Sequence, residues 1–182
     1  MSETASTQTP TTVPTTPPEA STRWLTPLEM ACWRGFVETY SDLVTALEAD
    51  LVPTGLTLGD YQVLVYLSEA ADHSMRMCDL ATMLQLSPSG LTRRLDGLVS
   101  AGLVARRGSE ADRRVMLAQL TPTGMARLEA AAPTHVESVR EHMIDLLDEH
   151  ELAAMGGAFE KVRQHLAGNG SVPLARRAAA SA

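Results

Sequence analysis

The chain has 182 residues, 45% of them hydrophobic, which suits one compact domain with accessory helices and leaves too little for two full cores. A formal charge of −7 argues for solubility and, taken as an average, against nucleic acid as a partner. Two cysteines, Cys32 and Cys78, without metal-type spacing speak against a disulfide framework, and the lack of a leader-like start or a long apolar run sets the expectation of a cytoplasmic protein with no membrane contact.

Residues 1–22, rich in Thr, Pro and Ser, have almost nothing to bury and are expected to be disordered. Thr26-Pro27-Leu28-Glu29 combines an N-cap hydroxyl, a first-turn proline and a glutamate three residues on, a capping box that opens a long helix. Trp33, Phe36, Val37, Tyr40, Leu43, Val44, Leu47 and Leu51 stripe that helix until Pro53 and Gly55 stop it. Thr57 and Asp60 start a second helix in the same way, buried through Tyr61, Leu64, Val65 and Leu67. A short third helix is predicted from about Met75 to Leu84. In LSPSGLTRRLDGLVSAGLV, Ser87 caps a fourth helix, Leu91, Leu95 and Leu98 face inward, and Gly102 ends it. Two helices so closely joined have the organisation of a helix-turn-helix.

Leu103 to Arg107 and Val115 to Thr121 are the two segments that read as strands, flanking a charged tip at 108–114. A further helix from Thr121 to about Leu147 is expected to bend near Pro133, and a last one runs from about Glu151 to Leu166. Residues 168–182 read as a flexible tail. The fold class is therefore mostly α with a small β-wing.

The average charge hides a patch. Residues 93–114 hold Arg93, Arg94, Arg106, Arg107, Arg113 and Arg114 against Asp96, Glu110 and Asp112, a local excess of +3 on a body that otherwise carries −10. With the leucines of the fourth helix inward, Ser89, Arg93, Asp96 and Ser100 lie near its opposite side. Such a face suits the major groove, where arginine reads guanine, and an arginine-bearing hairpin tip has the scale to enter a neighbouring minor groove. Asp112 can brace a tip arginine by a charge-assisted hydrogen bond.

Residues 57–124 resemble the winged helix-turn-helix of the MarR family of bacterial transcription regulators. LSPSGLTRRLDGLVSAGLV is similar to the family's recognition helix, and DRRVMLAQLTPTG to its wing signature of Asp-x-Arg, alternating apolar residues, Leu-Thr and Gly. The resemblance extends over roughly 24–167. It implies recognition-helix roles for Ser87, Ser89, Thr92, Arg93 and Arg94, and wing-tip roles for Asp112, Arg113 and Arg114, with Arg114 in the minor groove. It also implies a homodimer on a pseudo-palindromic operator, most often as a repressor, joined through helices in 24–51 and 125–167. The apolar stripes there, too wide for the small winged domain to cover, independently call for a partner.

MarR-like proteins commonly answer small aromatic or phenolic ligands between the dimer helices and the winged domain. Trp33, Arg34, Tyr61, Met75 and Met77, with Trp24, are the candidate lining here, Trp33 beside Arg34 suiting an aromatic anion. Two alternatives remain: redox sensing through Cys32, or a winged-helix module that binds protein instead of DNA. His135, His142 and His150 lack a completing Cys or carboxylate group, so they read as solvated histidines with no metal. No phosphate loop, nucleophile elbow or paired-His motif points to an enzyme, and no cofactor is expected.

Overall fold

A computed structural model describes residues 22–109, 112 and 114–168. The expectations for residues 1–21, for Arg113 and for the tail after Gly168 lie outside the described residues. The described residues fall into two compact units, one up to Val37 and the other from Glu38 on.

Helix α1 (Pro27–Leu51) begins in the first unit. Its capping box forms as the sequence predicts: Glu29 N–H donates to Thr26 Oγ1 at 3.3 Å and Thr26 N–H to the Glu29 carboxylate at 2.7 Å. That bond is the main cause holding the exposed Glu29 carboxyl below its usual pKa. Trp33 and Phe36 sit one turn apart with ring centroids at 6.1 Å.

In the second unit a 3-10 turn at Val52–Thr54 ends on Gly55, whose φ of 75° is the left-handed conformation that glycine adopts without strain. Helices α2 (Leu58–Glu69), α3 (Met77–Met83) and α4 (Pro88–Ser100) follow. Thr57 and Asp60 close the second predicted capping box. Glu48 from α1 accepts the Leu58 N–H at 2.7 Å, joining the end of one helix to the start of the next. Ser87 caps α4 by accepting the Gly90 N–H, and the stripe of Leu91, Leu95 and Leu98 is buried as its spacing implies.

Strand β1 (Ser74–Arg76) precedes α3, and strands β2 (Val104–Gly108) and β3 (Met116–Leu120) form the hairpin. The sheet is antiparallel in the order β1-β3-β2, with Met75 opposite Ala118 and Arg106 opposite Ala118 on the other side. This corrects two sequence expectations. Met75 is in a strand instead of the first turn of α3, and the hairpin has a third strand. The free edge of β3 supplies the backbone partners that three residues could not supply for themselves.

Leu51, Leu64, Leu67, Leu80, Leu91, Leu95, Val63 and Val104 are the largest fully buried side chains, so α2, α3, α4 and the sheet share one core. Thr121 then caps α5 (Pro122–His142) through the Gly124 N–H and donates its own hydroxyl to the Gly102 carbonyl at 2.7 Å. Helix α5 runs unbroken through Pro133. It stops at Met143, earlier than predicted, because Met143 leaves helical space and the chain tightens into a 3-10 turn over Ile144–Leu146, beside an Arg140–Asp145 ion pair. A reciprocal capping box of Asp148 and Glu151 starts α6 (Glu149–Gly168), two residues ahead of the predicted start, and the helix continues past Leu166 to Gly168.

Candidate nucleic-acid interface

Residue by residue, the basic window divides into cations that are engaged and cations that are not. Arg94 is engaged: its Nη1 donates to Thr57 Oγ1 at 3.3 Å and lies 3.5 Å from Asp60 Oδ1, so its head packs on the start of α2. A Cβ at Gly59 would stand 2.0 Å from that nitrogen, which makes the glycine part of the seat. Arg106 is engaged as well, with Nη2 donating to the Thr92 carbonyl at 2.9 Å and to Asp96 Oδ1 at 2.8 Å. Arg93, Arg107 and Arg114 are exposed, and among the described residues none of their guanidinium groups has a partner.

The other recognition-helix candidates cluster at the start of α4. Ser87, Ser89 and Thr92 are exposed; the two serine hydroxyls are 3.2 Å apart, and Thr92 Oγ1 donates to the Pro88 carbonyl. Each of these hydroxyls therefore has a local partner, while the side with Ser89 and Arg93 stays open to solvent.

At the wing tip, the Asp112 carboxylate accepts the backbone N–H of Arg114 at 2.9 Å, the Asp112 carbonyl accepts the Val115 N–H, and the Val115 carbonyl accepts the Ser109 N–H. The expected brace from Asp112 is thus made to the main chain of Arg114. A carboxylate reaching the amide two residues on is an Asx turn, and it folds the loop through the main chain, so that the Arg114 head stays exposed. Arg113 lies outside the described residues.

Within the second unit, the candidate ligand residues Tyr61, Met75 and Met77 do not line one groove. A groove of about 500 Å³ is lined by Leu47, Tyr61, Val65, Tyr66, His135 and Val139, among others, and of the candidates it includes Tyr61 alone. Met75 packs on the core from β1 and borders a different groove beside Arg76 and Arg107. Met77 also packs on the core. Trp24, Trp33 and Arg34 belong to the first unit and are exposed, with Trp33 at 57%.

Sequence reasoning missed the histidine in that groove. His135 packs against Tyr61 at a tilt of 44° with centroids 4.4 Å apart, and its Nδ1 is buried without a hydrogen-bond partner among the described residues. Burial lowers the His135 pKa and raises that of the Tyr61 phenol, so both rings are neutral near pH 7. His142 is half-buried with Nε2 2.8 Å from Asp50 Oδ2, to which Ser138 Oγ also donates at 2.6 Å. The Ser138 bond first, then His142, hold the Asp50 carboxyl below its usual range. Neither histidine is a solvated one, contrary to expectation; the signal was their spacing with Ser138 and Val139 on the inward side of α5. Among the described residues no His, Cys, Asp or Glu cluster has the make-up of a metal site. Cys32 and Cys78 are free and exposed.

Three helices with a capped reading helix, followed directly by a hairpin with an exposed arginine at its tip, define a winged helix-turn-helix. The profile of the MarR family matches residues 54–115. Over 111 residues the chain is 32% identical to the HTH-type transcriptional repressor YetL of Bacillus subtilis, covering 59% of this chain and 66% of that one. Its structure is similar to that of AbsC, a MarR family transcriptional regulator from Streptomyces coelicolor, at 44% identity and a TM-score of 0.75, covering 81% of this chain and 99% of AbsC. It is similar in the same degree to Sco3205 of Streptomyces coelicolor, solved in complex with DNA, with 30% identity, a TM-score of 0.75 and coverage of 81% and 93%. The chain belongs to the MarR family of transcriptional regulators, which are not enzymes. Among the described residues no helix is long and apolar enough to cross a membrane.

Proposed function

We propose that this regulator is a sequence-specific DNA-binding repressor that acts as a homodimer on a pseudo-palindromic operator and is released by a small aromatic or phenolic ligand. The observation that carries DNA binding is the pair of exposed arginines without a guanidinium partner among the described residues, Arg93 on the outer side of α4 and Arg114 at the wing tip. Sco3205, solved with DNA, has a similar frame. Residues 57–124 form the reading unit. Ser87, Ser89, Thr92 and Arg93 serve the major groove, and Arg114 with Arg113 the minor groove. Asp112 shapes the tip, and Arg94 contributes by seating α4.

Dimerisation is supported by the apolar side chains that single-chain folding leaves in water: Trp24 at 82%, Leu28 at 81% and Trp33 within 24–51, and Val162 and Leu166 within 125–167. A symmetric pair places two reading helices about one helical turn, ~34 Å, apart. The relative YetL is a transcriptional repressor, and blocking a promoter needs only occupancy. For the ligand, the support is the Tyr61–His135 groove: two neutral rings in a mostly apolar lining, with Gln62 and Glu69 as its polar members, suit an aromatic ring with a polar substituent.

Footprinting and mobility shift on the DNA upstream of its own gene test the reading. A protected pseudo-palindrome, bound by a dimer with affinity that falls steeply with salt, is the expected result. Equal, weak binding to all duplexes would overturn it in favour of a protein-binding module.

A further inference from the structure

We propose that Arg106 is a positioning residue which clamps the wing to the reading helix through Asp96, and that it makes no contact with DNA itself. The inference rests on the DNA-binding reading above and adds to it how helix and wing are held in one register. In β2 the two adjacent arginines lie on opposite faces of the sheet. Arg106 is opposite Ala118, which is fully buried, and Arg107 is opposite Leu117 on the open side. The Arg106 side chain therefore leaves the sheet toward α4. There its Nη2 donates both to the main-chain carbonyl of Thr92 and to Asp96 Oδ1, bridging one full turn of the helix. Its Nε is buried with no acceptor among the described residues, so the guanidinium is drawn in at the cost of one unmade bond.

This accounts for an otherwise unfavourable residue. Asp96 is 57% exposed on the side of α4 that carries Arg93, where a carboxylate would repel phosphates. Paired with Arg106 it is neutralised, and the pair fixes the distance between Arg93 and the wing tip. As a pair whose carboxylate is still in water, it adds little to folding stability. Its value lies in geometry, because two grooves must be met at once.

The test is a double-mutant cycle with Asp96→Ala, Arg106→Gln and both together, with Arg106→Lys as the conservative variant. Binding to operator and to random duplex is measured at several salt concentrations, alongside thermal stability and amide hydrogen exchange of the wing. Removing an acid from a DNA-facing surface should by itself tighten binding. The clamp predicts the opposite sign: Asp96→Ala weakens operator binding about tenfold, the size of one lost charge-assisted hydrogen bond. Arg106→Gln does the same, the double variant is no worse than either single one, and Arg106→Lys is intermediate. The salt slope stays at its wild-type value, since no phosphate contact is lost. Melting changes little, while wing amides exchange faster in each variant. Tighter binding by Asp96→Ala, or a slope shallower by about 1 in Arg106→Gln, would make Arg106 a phosphate contact and overturn the clamp. If the wild type bound no DNA, the proposed function would fall, and the exchange measurement would still decide the clamp: unchanged wing exchange in both single variants would refute it.

Discussion

Arg93 and Arg114 carry the same charge and are expected to fail differently when removed. Arg93 projects from α4, where a guanidinium reads a base edge, so Arg93→Ala should cost ~1–3 kcal/mol at one base position of each half-site and relax specificity there. Arg114→Ala should weaken operator binding and make its salt slope shallower by about 1, with the fold intact because an exposed wing-tip head buries little. Titrations against operator, single-base variants and random duplex distinguish the two; equal losses on every duplex for Arg93→Ala would reassign it as a phosphate clamp. His135 makes a prediction about acid. Burial sets its folded pKa below the ordinary 6.5, so the unfolded chain takes up the proton first. Stability is then unaffected above that value and declines as pH falls below about 6.5 toward the folded pKa. His135→Phe removes the group, so its melting temperature should fall less than that of the wild type between pH 7.5 and 5.5. Parallel curves would show that His135 is not a source of acid sensitivity.

The start of α5 is fastened by a contact that admits no side chain. A Cβ on Gly124 would lie 2.1 Å from the Leu103 carbonyl oxygen and 2.7 Å from Leu120 Cδ1. That carbonyl already accepts the Thr121 N–H at 3.1 Å, so it cannot retreat without loosening the junction between β2, β3 and α5. Gly124→Ala is expected to destabilise by about 1–3 kcal/mol, the usual cost of overpacking. Gly97→Ala, in mid-α4 with nothing within 4 Å, should be stabilising by roughly 0.5–1 kcal/mol through helix propensity. Denaturant melts of both decide it, and similar midpoints would refute the close-packing account. The same junction shows what was legible in the sequence. Caps at Thr26, Thr57, Ser87 and Thr121 are local, three-residue signals, and each formed as read. The Asp148–Glu151 box was equally local and could have been found. Strand β1 was not legible, since three residues pair only because β3 presents a free edge. The fates of Arg94 and Arg106 were hidden for the same reason: their acceptors at Asp60 and Asp96 are 34 and 10 residues away, and charge type alone cannot tell a buried brace from a free contact.

For the whole molecule, the acidic chain and its basic face make binding a balance that a small ligand can tip. A ligand that prefers the non-DNA form tenfold contributes ~1.4 kcal/mol per site. Two sites in a symmetric dimer then lower operator affinity about a hundredfold, provided each groove changes shape between the two states. The Tyr61–His135 groove is placed for such coupling, because its lining comes from α1, α2 and α5 while α2 also seats Arg94 of the reading helix. Aromatic acids and phenols should therefore bind, as measured by calorimetry, and release operator in parallel. His135→Phe, which removes the buried nitrogen and keeps the ring, should weaken ligand binding and shift the release curve to higher concentration, while operator affinity without ligand stays near wild type. Reciprocity gives a second check: operator present at saturation must lower ligand affinity by the same factor. Release by peroxide that disappears in Cys32→Ser, with no response to any aromatic compound, would replace the ligand with a thiol as the trigger.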